Sequence, residues 1–447
     1  MPSAARRLGL KPLLKKPSFP RRREPNFARV TTEHENLGPR LREDDVYMRC
    51  VYVCSTIEQG KKNMRITRKL VGVGMFALMT GCSTLHSLNP FASKPKGNLP
   101  APLVALKGSM AVRTAWKLEV GKAETYMFSP AVADNTIIAA GGDGTIVRAE
   151  AATGRQIWRT KAGTDLTAGV GTDGTVIVLG GAKGKLLAFD MDGKKLWETQ
   201  LSSEILSSPV VGQGIVVARS IDNRINGYDA RTGQKKWTVQ RTAPALTLRL
   251  APGMVIHDKD VLIAQPGGKL LSLILATGAP RWEVEVGVAH GATELERVTD
   301  MGGTPVIVDN DVCAVTYQGR VGCFDVATGS PRWTRDISSE VGVAADERFV
   351  FVPDEKGAVY AYNRETGTSA WKNDKLAYRR LSTPVSYGRA VAVGDYEGYV
   401  HFLSREDGAF LARLATDGSA IESTPLVVGS NLIFQTQNGT VTAIAVE

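Results

Sequence analysis

Short apolar runs broken by glycine turns recur along the chain from about residue 110 onward. The seven tryptophans mark the period. They stand at 116, 158, 197, 237, 282, 333 and 371, with spacings of 42, 39, 40, 45, 51 and 38 residues. Six of them follow a glycine by four residues, at Gly154, Gly193, Gly233, Gly278, Gly329 and Gly367, and five of those glycines follow a threonine. A seventh copy of the turn, Asp407-Gly408, carries Ala412 where the others carry tryptophan. Upstream of each turn a second glycine opens an apolar strand: Gly144, Gly184, Gly268, Gly319, Gly357, Gly398 and Gly439, with Asn223 filling the place once. Glycine and asparagine take positive φ at little cost, so these eight positions are predicted hairpin tips.

Each unit therefore reads strand, strand, tip, strand, Thr-Gly turn, tryptophan strand. Four short antiparallel strands make one propeller blade, and a blade buries both faces only by stacking on neighbours. Eight tips predict an all-β protein, an eight-bladed β-propeller over residues 109–447. The eighth repeat reaches the C-terminus before its last strand. The segment Ala111–Trp116 is predicted to supply that strand from the N-terminal end and close the ring, leaving no open sheet edge. The tryptophans are read as packing between blades.

Composition suits such a body: 43% hydrophobic, 22% charged and 46 glycines. The net charge of +10 suggests a nucleic-acid partner until it is located. Residues 1–63 contribute +7 and residues 64–81 contribute +3, so 82–447 is neutral. Nucleic-acid binding drops out.

Met64-Arg-Ile-Thr-Arg-Lys69 is a basic stretch, followed by an apolar run to Met79 and then by Thr80-Gly81-Cys82. A charged start, a short apolar run and small residues before a cleavage point make a secretory signal over 64–81. The run is too short for a membrane span. Leu78-Met79-Thr80-Gly81-Cys82 resembles a bacterial lipobox, which implies acyl chains (palmitate among them) on Cys82 and stable membrane anchoring. Residues 82–108, with Pro90, Pro95, Pro100 and Pro102, read as a flexible tether. Met64 is read as the start of the natural protein, and 1–63 as a non-native extension, disordered if translated.

The Thr-Gly-x3-Trp repeat resembles the pyrroloquinoline-quinone-type eight-bladed propellers. Two families share it: the quinoprotein dehydrogenases and the BamB family of outer-membrane assembly lipoproteins. The dehydrogenase alternative implies a catalytic Asp, calcium, an adjacent Cys pair and long insertions roofing a cofactor. This chain has no adjacent Cys pair, and the 366 residues from 82 onward are nearly all used by the blades. His257, His290 and His401 are scattered without metal-ligand spacing. Glu150, Asp229 and Asp325 open Thr-Gly turns, where a carboxylate accepts backbone N–H groups. No enzyme activity, cofactor or metal is expected. A third reading is a periplasmic propeller with another partner. Cys313 and Cys323 flank the Gly319 tip; a disulfide and two free thiols both remain open, because a one-residue register shift would separate them.

In a binding module the loops should enlarge where a partner docks. The two longest tryptophan intervals, 237–282 and 282–333, are adjacent. Aligned on Pro252 and Pro305, which open consecutive blades, Leu248 and Asp300 take nearly equivalent places and should lie side by side. Leu246 and Leu248 either alternate into a buried strand or stand exposed. The resemblance implies the second. Pro244-Ala-Leu-Thr-Leu-Arg249 and Glu294-x-Glu-Arg-x-x-Asp300 match the BamB family's loops for BamA, so Leu246, Leu248, Arg249 and Asp300 are the implied partner contacts. The family carries a second Asp where this chain has Gly302. The resemblance thus implies a non-enzymatic scaffold of the BAM complex. It would be lipid-anchored in the outer membrane facing the periplasm, bind the BamA periplasmic domain and assist β-barrel assembly. Unfolded outer-membrane proteins are a further candidate partner.

Overall fold

The computed structural model describes residues 98–106 and 108–446. The expectations for the extension, the signal, Cys82 and the tether up to 97 lie outside the described residues. Among the described residues, thirty-two strands form eight four-stranded antiparallel sheets. In chain order these are blade 1 (131–161), blade 2 (166–200), blade 3 (210–240), blade 4 (254–285), blade 5 (301–337), blade 6 (344–373), blade 7 (385–415) and blade 8 (426–446). Blade 8 takes its outermost strand, Val112–Glu119, from the start of the propeller, as predicted. That strand pairs antiparallel with Thr440–Val446, Trp116 opposite Ala443.

Burial explains the strand patterns. The middle strands meet a neighbouring blade on both faces, so Thr136–Ala140 and Val176–Gly181 are buried throughout and show no alternation. Outermost strands such as Lys195–Gln200 alternate, because one face meets water. The core is eight apolar clusters, one at each junction between blades, including the junction of blade 8 with blade 1.

The tryptophans join the blades by one repeated device. In every blade the outermost strand carries a bulge just before the tryptophan position, which re-aims that side chain. Each indole Nε1 donates to a carbonyl at the Thr-Gly turn of the next blade: Trp116 to Ala151, Trp158 to Met191, Trp197 to Ala230, Trp237 to Leu275, Trp282 to Val326, Trp333 to Arg364 and Trp371 to Arg405, at 2.6–3.2 Å. The turn glycine lies flat against the same ring. A Cβ on Gly367 would sit 2.5 Å from Trp333 Cδ2, so nothing larger fits.

The missing eighth tryptophan has a structural reason. Ala412 faces blade 8, whose third strand, Thr440–Val446, and fourth strand, Val112–Glu119, are joined by no turn, because they lie more than 300 residues apart in sequence. No glycine platform exists for an indole. Met110 fills the junction instead, packed with Leu411, Ala412 and Ile444. Cys313 and Cys323 stand directly opposite each other and form a disulfide, buried between blades 5 and 6. The register that left them open is thus settled. Two of the turn acids cap backbone N–H groups: Asp325 accepts from those of Ala327 and Thr328, and Asp229 from those of Arg231 and Thr232. Glu150 accepts instead from the Thr153 hydroxyl and the Arg155 guanidinium. Lys236 beside Asp229 and the Thr232 groups hold its pKa down to about 2.

The ring has two distinct faces. The glycine tips and the linkers between blades lie on one, here the tip face; the Thr-Gly turns lie on the other, the turn face.

Gly367→Ala and Gly388→Ala separate the tryptophan device from backbone strain. Both glycines have positive φ, +66° and +57°, but only Gly367 meets a ring, and Gly388 has open space. Strain alone costs about 1–2 kcal/mol. Gly367→Ala should lower the urea midpoint clearly more than Gly388→Ala; equal shifts would contradict the packing argument.

Candidate partner-binding site

Three linkers on the tip face build the site: 201–209 into blade 3, 241–253 into blade 4 and 286–300 into blade 5. Buried polar groups hold them. Arg219 ends the second strand of blade 3 and is 7% exposed. Its guanidinium donates to Ala264 O at 2.6 Å, Ser207 Oγ at 2.9 Å and Pro252 O at 3.2 Å, joining two linker roots to blade 4. Burial pulls its pKa down to about 10, opposed by the charge of Asp300.

Asp300 is 3% exposed. Its Oδ2 accepts from Leu248 N at 2.5 Å and its Oδ1 from Gly267 N at 2.9 Å. Burial raises its pKa, while those two N–H groups and Arg219 work the other way. The predicted neighbourhood of Leu248 and Asp300 is therefore a direct hydrogen bond. Asp300 is nevertheless placed beneath the surface, not on it. Its carboxylate shapes the 241–253 linker.

Leu246 is 41% exposed, Leu248 half-buried and Arg249 exposed. The stretch forms no strand, so the buried-strand alternative falls. Arg249 donates to Glu204 Oε2 at 2.6 Å, and Tyr126 donates to Glu204 Oε1 at 3.3 Å. Leu206, Ile221, Leu248 and Pro252 wall a cavity of about 270 Å³ over Arg219 and Asp300. On the third linker Leu295 is 72% exposed. Glu296 caps a turn there through Ala292 N and Thr293 N.

At Gly302, where the resembled loops carry an acid, a Cβ would lie 2.7 Å from Val341 O and 2.9 Å from Ser339 O. The blade 5–6 linker passes too close for any side chain. The reading of the residues missed Tyr126, Glu204 and Arg219. Only Arg219 had a signal, a charge closing the apolar run Ile215–Ala218. All the implied contact residues belong to tip-face linkers, and the site is a surface with apolar prominences and exposed cations at Arg249 and Arg297. Among the described residues no three His, Cys, Asp or Glu side chains group to hold a metal.

The comparisons agree with this architecture. A family model described as outer membrane protein assembly factor BamB matches residues 142–373. The outer membrane protein assembly factor BamB of Burkholderia pseudomallei is 44% identical over 349 residues, covering 78% of this chain and 92% of that protein. The crystal structure of BamB from Moraxella catarrhalis superposes with a TM-score of 0.69 at 29% identity, covering 75% of this chain and 100% of that one. A quinohemoprotein alcohol dehydrogenase from Pseudomonas putida gives a TM-score of 0.59 at 13% identity, covering 76% of each chain, which is a likeness of fold alone.

Asp300→Asn keeps the shape but loses the charge and one acceptor. Hydrogen bonds to a charged group contribute about 1.5–3 kcal/mol. Amide exchange at Leu248 and Gly267 should quicken while the blades stay protected. Unchanged exchange at Leu248 would show that Asp300 does not hold the linker.

Proposed function

This chain belongs to the BamB family of outer membrane protein assembly factors, and from that premise we propose that its tip-face linkers dock on the periplasmic domain of BamA. The observation that carries the reading is the linker held by Asp300, which presents Leu246 and Leu248 beside Arg249. An arginine flanked by apolar side chains on a pre-shaped loop suits a protein partner, because little ordering is lost on binding. Glu204 fixes one end of the Arg249 guanidinium and leaves the rest of the side chain exposed.

The protein acts as a scaffold without bond chemistry. Supporting this, the ionisable groups of the site are spent on holding linkers: Asp300 on two backbone N–H groups, Arg219 on carbonyls and a hydroxyl, Glu204 on Arg249 and Tyr126. Its location is the periplasmic side of the outer membrane, anchored through acylated Cys82 after removal of 64–81. The disulfide Cys313–Cys323 suits an oxidising compartment.

Arg249→Glu combined with Leu248→Ala should cut co-purification of BamA from detergent-solubilised envelopes at least tenfold. BamA recovered at the wild-type level would refute the site. Mass spectrometry of the mature protein should find an N-terminal acylated Cys82; an unmodified N-terminus elsewhere would remove the anchor.

A further inference from the structure

The stretch expected to be free tether is not free where it is described. Strand Val112–Glu119 starts on the turn face, where Val112 pairs with Val446, and ends on the tip face, where Glu119 pairs with Thr440. A loose chain before it would leave from the turn face. Instead residues 101–106 and 108–109 lie across blade 7, from its turn face to its tip face. Ser109 N donates to Leu411 O at 3.0 Å, and Arg389 donates to Ser109 O. Arg413 Nη1 donates to Val104 O at 3.2 Å, midway along the outermost strand Phe410–Ala415. Arg379 Nη1 donates to Ala101 O at 3.1 Å, and Ala101 N donates to Ala377 O at 2.8 Å. Residues 377–379 belong to the linker between blades 6 and 7, on the tip face.

The two arginines are the ends of one buried chain. Arg379 Nε donates to Asp395 Oδ2 at 2.7 Å, and the same oxygen meets His401 Nε2 at 2.8 Å. His401 Nδ1 accepts from Arg413 Nε at 3.1 Å, so the ring is neutral and carries its proton on Nε2. The Asp395 and His401 side chains are fully buried. Burying charge is costly and is seldom a source of stability by itself. This chain lies in blade 7, far around the ring from the linkers of the partner site. What it does achieve is to fix two guanidinium groups, each with an N–H on a carbonyl of the crossing segment.

We propose that Arg379 and Arg413 are positioning residues that pin the segment through Ala101 and Val104 as a strap, so that the membrane tether leaves the propeller on the partner-binding face, across the axis from Arg249. Blades 3 and 7 are opposite in a ring of eight. The strap also shortens the free tether. From Cys82 an extended chain reaches at most about 65 Å to Ala101, against about 100 Å to Ala111. An anchor and a docking surface on one face let both engage at once, which raises the effective concentration of the docking loops near a membrane-bound partner. That consequence rests on the docking reading; the strap itself does not.

The test compares the wild type with Arg413→Gln and with Ala101→Pro, which removes the N–H that Ala101 donates to Ala377 O and leaves both arginines in place. In the purified wild type the Ala101 and Ser109 amides should exchange at least tenfold slower than in a free peptide. The Ser109 amide should lose that protection in both variants, and the Ala101 amide in Arg413→Gln, while Val112–Glu119 stays protected. Wild-type amides exchanging at the free rate, or both variants keeping protection, would overturn the strap. In cells, the anchored variants should co-purify several-fold less BamA, while their purified unanchored forms bind the BamA periplasmic domain like wild type. Undiminished co-purification with the strap released would overturn the positioning role. If the unanchored wild type fails to bind BamA at all, the docking reading and the positioning role fall together, and exchange alone judges the strap.

Discussion

One contact recurs at seven of the eight junctions: an indole N–H on a turn carbonyl, with the turn glycine flat against the ring. It ties the outer strand of each blade to its neighbour. The middle strands are joined by apolar clusters, which are non-directional and would tolerate some sliding. The hydrogen bond adds direction and sets the rotation of one blade on the next. At the eighth junction the device has no turn to act on, and Met110 with the strand Val112–Glu119 takes over. The integrity of the ring thus depends on a segment at the opposite end of the propeller sequence from its partner strand.

A ring held this way leaves its linkers free to differ. The two long linkers flanking blade 4 carry exposed leucines and Arg249 because no blade-to-blade contact needs them. Their shape comes from Asp300 and Arg219, two buried charges that bridge linker to blade. An assembly factor that works by positioning needs such fixed surfaces, and the strap over blade 7 extends the same logic to its attachment.

The architecture was legible because it is periodic. Tryptophan spacing, turn glycines and tips state the blade count, and the absent last strand points to Trp116. The site was partly legible. Alignment on the blade-opening prolines brought Leu248 beside Asp300, but burial of Asp300 depends on neighbouring blades that a pattern along the chain does not contain. Cys313 and Cys323 hung on register, which is a pairing property. The strap was read as tether because its prolines and polar flanks fit one. Its partners Arg379 and Arg413 lie 278 and 309 residues away, and carbonyl acceptors leave no mark in side-chain pattern.

The closure of the ring by Val112–Glu119 is tested most directly by urea unfolding of a protein beginning at Val120. That protein lacks the outermost strand of blade 8 and Trp116. It should show no cooperative transition, since blade 8 is left with three strands and an unpaired edge along Thr440–Val446, and its junction with blade 1 loses the Trp116 hydrogen bond. A single transition at the full-length midpoint would contradict the account.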